Sequence, residues 1–98
     1  MKTADERRAA AAVYRRRYRL ARYGLTPETF AVLLHGQGGR CAACGTAITS
    51  PHAACVDFDH TAGRVRALLC AGCLSAARYL RRDPARARSL AGYLEAFP

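Results

Sequence analysis

Carboxylates are scarce in this chain: seven Asp plus Glu stand against sixteen Lys plus Arg, a formal charge of +9 over 98 residues. Between Glu28 and Asp83 the only carboxylates are Asp57 and Asp59, which leaves few replacements for a lost carboxylate or amide ligand in that stretch. Asparagine is absent, which removes one neutral oxygen donor from any metal or active centre, and lysine occurs once. No run approaches the ~18 apolar residues of a membrane span, and the opening MKTADERR lacks the apolar core of a secretory leader. The expectation is a protein of the cytoplasm, including the nucleoid, with no membrane partner. The length allows one domain, near the size at which an apolar core alone gives marginal stability, so a metal or partner is expected to help.

What is present is arginine, the side chain whose planar fork fits phosphate. An excess this one-sided points to a polyanion rather than to a merely solubilising surface. Four of five cysteines form two CxxC pairs, Cys41 with Cys44 and Cys70 with Cys73. In a reducing compartment such pairs read as a zinc site rather than a disulfide framework. The 25 residues between the pairs exceed a usual zinc-ribbon interval, so a sizeable element sits between the knuckles. Cys55 is left over, as a small buried filler.

From Asp5 to Tyr23 the sequence is helical in composition. Ala11, Tyr14, Tyr18 and Ala21 recur as one apolar stripe for docking, and Arg8, Arg15, Arg19 and Arg22 run along one flank. Gly24 ends the helix. Thr26 as N-cap and Pro27 at the first helical position start a second helix that stops near His35 and Gly36. His35 is a helix-end residue and His52 a loop residue by default. Gln37 to Arg40 form a flexible lead into the knuckle CAACG, whose glycine turns the backbone beneath a metal. CVDFDH and RVRALL read as short strands around a turn at Thr61, Ala62 and Gly63. LSAARYLRR is helical, and Asp83 with Pro84 starts a last helix with an apolar face of Ala87, Leu90, Ala91, Leu94 and Phe97.

Through YGLTPETF, GGRCAACG, VDFDH, GRVRALLCAGC and RRDP the chain resembles the recombination endonuclease VII branch of the HNH (ββα-metal) nucleases. The resemblance implies an α+β fold: a zinc-stapled, treble-clef-like ββα-metal core at 26–98, preceded by a basic helix at 1–25. In the family an Asp and an Asn hold Mg²⁺ against the scissile phosphate, a first His activates water, and a second His polarises the phosphate. Carried onto this sequence, Asp57 matches the metal aspartate and His60 the second histidine. Phe58 stands where the base belongs and Leu74 where the asparagine belongs. Losing a general base costs about 10²–10⁴-fold, and a leucine cannot coordinate a hard cation. The expectation is therefore a zinc-stabilised, DNA-binding protein with an impaired or absent nuclease centre. The alternative is an active, divergent endonuclease, acting on branched or nicked DNA with Mg²⁺, in which Asp59 and His60 repeat the Asp-His pair after a two-residue strand shift. For DNA contact the candidates are Arg8, Arg15, Arg19, Arg22, Arg64, Arg66, Arg78, Arg81 and Arg82. The resemblance also suggests a homodimer through helices outside the zinc core.

Overall fold

A computed structural model describes all 98 residues as an α+β fold of four helices and one antiparallel hairpin. Helix α1 spans Ala4–Ala21, α2 Pro27–Gly36, strand β1 Ala54–Asp59, β2 Arg64–Cys70, α3 Ala71–Tyr79 and α4 Pro84–Ala96. Local chemistry sets most boundaries. Thr26 caps α2 in a reciprocal box with Thr29, with Pro27 opening the helix. Asp83 caps α4 by accepting from the Ala85 amide at 2.9 Å. Gly63 closes the hairpin turn at φ +70°, a conformation disfavoured for a side chain with a Cβ.

The core is small. Leu20, Phe30 and Leu68 are its buried centre, with Leu25, Leu34, Ala54 and Val56 packed around them. Thus the end of α1, the face of α2 and the hairpin meet at one point. The expected Tyr14 and Tyr18 stripe does not dock: these rings are 70 % and 64 % exposed, and Leu20 is the only buried residue of α1. Arg16 lies over the Phe30 ring at 5.2 Å, and Arg17 pairs with Glu28 at 2.9 Å, so arginines fasten α1 to α2 as well as facing solvent. Helix α4 buries nothing, and Leu90, Tyr93, Leu94 and Phe97 remain exposed. No helix is long and apolar enough to cross a membrane.

Gln37 is not part of a flexible lead. Its side-chain amide donates to the carbonyls of Arg40 at 2.8 Å and Leu68 at 2.9 Å, and its oxygen accepts from the Leu68 amide at 3.0 Å. The free edge of β2 is thereby satisfied by a side chain standing in for a third strand, with the Ala42 amide adding a bond to Leu68 at 3.2 Å. This ties the first knuckle to the hairpin.

Candidate functional site

The four paired cysteines converge at the base of the hairpin. Their sulfurs lie within 4.8 Å of one another, and the Cys44 and Cys70 sulfurs are 3.8 Å apart. A tetrahedral Zn²⁺ with Zn–S near ~2.3 Å sets its sulfurs about 3.8 Å apart, so the donor set and its spacing fit zinc. Gly45 turns the first knuckle at φ +75°, and Cys70 caps α3 while its sulfur accepts from the Cys73 amide at 3.4 Å. Burial pushes the Cys41 thiol up, but backbone amides of Cys44, Cys70 and Ala43 outweigh it and hold the pKa at about 6. Cys73 goes the other way, pushed to about 12 by the sulfurs of Cys70 and Cys44. Four crowded thiols cannot all ionise without a cation among them. Cys55 is half-buried and outside the cluster.

Above this cluster, Asp57 is the one buried charged residue, at 7 % exposure. Two elements send guanidinium groups to it. Arg82 approaches as a fork, Nη1 to Oδ1 at 3.1 Å and Nη2 to Oδ2 at 3.1 Å. Arg66 adds Nη1 to Oδ1 at 3.2 Å. Both approaches depend on irregular backbone. The strand register passes from Asp57 opposite Ala67 to Phe58 opposite Val65, which leaves Arg66 as the extra residue of a β-bulge. Arg81 and Arg82 both take left-handed conformations, φ 53° and 54°, in a turn that caps α3 through the Arg82 amide on Ala77 and the Arg81 amide on Arg78. A non-glycine residue there costs about 1–2 kcal/mol, and the fork onto Asp57 offsets it.

Asp59 serves the hairpin tip. Its Oδ1 accepts from the Thr61 amide at 2.9 Å and the Ala62 amide at 3.1 Å, and its Oδ2 lies 3.4 Å from Arg66. The Ala62 amide, joined by Thr61, Arg66 and Arg64, holds this carboxyl below its ordinary range despite partial desolvation. Leu74 lines the same hollow as Asp57, Phe58 and His60, the place the sequence match gives it, and it has no donor atom. These residues do not fit a hard divalent cation: both Asp57 oxygens are engaged by guanidinium groups, Leu74 offers none, and Asp59 is committed to the turn. His60 is exposed, edge-on to Phe58 with ring centres 5.0 Å apart, and Phe58 lies 5.3 Å from Tyr23.

The arginines divide by environment. Arg8 is paired with Asp5, and Arg66 and Arg82 are spent on Asp57. Arg15, Arg64 and Arg81 are exposed. Arg19, Arg22 and Arg78 share with Arg16 the wall of a hollow of about 420 Å³ between α1, the hairpin and α3. Arg16 and Tyr23 belong neither to the expected apolar stripe nor to the expected arginine flank of α1. Arg16 lies seven residues before Tyr23 and four before Leu20, a spacing that already placed both on the docked face.

Residues 16–96 match the family described as recombination endonuclease VII, a span that takes in the last turns of α1, the knuckles, the hairpin and both later helices. The gene 59 protein of Mycobacterium phage D29 is 44 % identical over 54 residues, covering 55 % of this chain and 33 % of its own length. The gene 59 protein of Mycobacterium phage L5 is 43 % identical over 54 residues, with the same coverage of both chains. The chain thus spans about a third of the length of the curated relatives it matches. No solved structure matches it. With the paired cysteines, the hairpin aspartate and the helix after the second knuckle all lying inside the matched span, the chain belongs to the recombination endonuclease VII family.

Proposed function

We propose that this chain is a zinc-stapled DNA-binding protein whose nuclease centre has been replaced by a guanidinium clasp. The observation that carries the reading is Asp57, held by the Arg82 fork and by Arg66 beside a leucine. Two positive charges already neutralise the only buried carboxylate, and no base stands at Phe58 to activate water. DNA is the partner that the family and the +9 charge both support, and phosphate contacts from arginine hold a protein on DNA without reading bases. The divergent-nuclease reading needs Asp59 and His60 to act together, and the Asp59 oxygens are taken up by the turn amides and Arg66.

Zinc on Cys41, Cys44, Cys70 and Cys73 supplies structure in this reading, drawing the two ends of the hairpin insert to one point. Thiolates must stay reduced to hold it, which supports a cytoplasmic place, at the nucleoid. The exposed Leu90, Tyr93, Leu94 and Phe97 of α4 support self-association, to be read as a concentration-dependent mass by sedimentation.

The test is incubation of the zinc-loaded chain with supercoiled plasmid and Mg²⁺ or Mn²⁺, against a His60→Ala control. Retardation of the plasmid without nicking is expected. Efficient, His60-dependent cleavage overturns the proposal in favour of a divergent nuclease.

A further inference from the structure

The arginine-walled hollow carries no carboxylate in its lining, although four arginines, Arg16, Arg19, Arg22 and Arg78, line it. Arg16 is spent on Phe30, whereas Arg19, Arg22 and Arg78 make no salt bridge. Three arginines without a carboxylate partner on the wall of one concavity favour a ligand with repeated negative charge. The apolar floor open to a ligand is Val56 and Leu74, both half-buried, whereas Phe30 is buried at 2 % exposure and covered by Arg16. Tyr23, Val56, Leu74 and Arg78 also line the second hollow, of about 330 Å³, which holds Phe58 and His60. The two hollows adjoin through these shared residues and form a groove from the arginines to the aromatic row of Tyr23, Phe58 and His60. The carboxylates of its second half, Asp57 and Asp59, are paired with Arg66 and Arg82.

We propose that this groove binds a single-stranded DNA segment, with phosphates on Arg19, Arg22 and Arg78 and unpaired bases on the apolar floor, one of them against the aromatic row. The proposal rests on the DNA-binding reading above. Duplex DNA shows a protein its phosphates and base edges while its base faces stay stacked inside, so an apolar floor below the arginines has nothing to meet. An unpaired strand brings both halves of the match: backbone charge for the rim and π-faces for the rings. Phe58 then has a use that a general base would not serve, since its ring is one face of the platform.

The experiment uses the zinc-loaded full chain with fluorescein-labelled oligo-dT of about 12 nucleotides, a duplex of equal length, and a single strand carrying 2-aminopurine. Single-strand binding about tenfold tighter than duplex binding at the same salt is expected, with quenching of 2-aminopurine as it stacks. Phe58→Leu, which keeps an apolar side chain at the site, and His60→Ala, at an exposed position, should each abolish the quench and bring the single-strand to duplex affinity ratio down towards one. Zinc content and circular dichroism identify a variant that has lost its fold, and the second variant then decides. Equal affinity for both DNAs without quenching overturns the groove while leaving DNA binding intact. Failure to bind either DNA overturns the DNA-binding reading itself.

Discussion

Asp57 draws an unusual concentration of charge for a residue of a two-stranded hairpin, and its chemistry follows from what surrounds it. A carboxylate at 7 % exposure survives only if paired, and the Arg82 fork with Arg66 supplies the pairing. Restoring the missing side chains should therefore not suffice. Phe58→His with Leu74→Asn is expected to leave plasmid nicking near background, because both Asp57 oxygens stay occupied. Adding Arg82→Gln should raise Mn²⁺-dependent nicking at least about tenfold over that double variant, because the freed Asp57 oxygen lets the restored base, worth about 10²–10⁴-fold when the centre is complete, begin to act. Nicking by the double variant equal to that of the triple would show that Arg82 does not block the centre. The losses at Phe58 and Leu74 were legible because they are gaps in a motif. The clasp was not, since it joins residues 25 apart through two left-handed residues and a bulge, none of which leaves a local signal in the sequence.

Among the elements, the boundaries carried by caps were readable: Thr26 with Pro27, and Asp83 with Pro84, act within one turn of themselves. Spacing told less about partners. Tyr14 and Tyr18 have the periodicity of a docking stripe yet lie in solvent, because periodicity records a face and not what covers it. The flank of α1 can be tested directly. With ~5 or 6 phosphates neutralised, log K on duplex DNA should fall against log [salt] with a slope of roughly −4 to −6. Replacing Arg15, Arg19 and Arg22 by alanine should flatten it by about 2 to 3 and weaken binding to unrelated sequences equally. An unchanged slope would move the contact surface to the hairpin and knuckles. Gln37 gives a second test at this scale. Gln37→Ala removes three hydrogen bonds and leaves the amide of Leu68, fully buried at 0 %, without a partner on the strand's open side, while the Leu68 carbonyl keeps the Ala42 amide. A stability loss of about 1–3 kcal/mol is expected in urea unfolding, where an unchanged midpoint would mean that water replaces the amide.

For the molecule as a whole, surface and shape decide what must hold it together. A compact chain of 10.6 kDa has an accessible surface of about 5500 Å², whereas this one has 7412 Å². Its radius of gyration is 16.9 Å against about 12.6 Å for a compact domain of this length. Six residues of 98 are buried, one of them the ligand candidate Cys41 and another the charged Asp57. So little apolar burial cannot offset chain entropy of about 1–2 kcal/mol per ordered residue. The remaining tie between hairpin and helices is the tetrathiolate cluster, where Cys41 and Cys44 enter from the first knuckle and Cys70 and Cys73 from the strand end and α3. Metal binding and folding should then be one transition. One Zn²⁺ per chain is expected by metal analysis. Chelation should abolish the tertiary signal of Tyr23 and Phe58 in near-ultraviolet circular dichroism, and stoichiometric zinc should restore it. Cys70→Ser should give the chelated spectrum without chelator, whereas Cys55→Ser, outside the cluster, should keep the native one. A chain that stays folded after its metal is stripped would mean that the small core and the Asp57 clasp suffice, and the thiol cluster would lose its structural role.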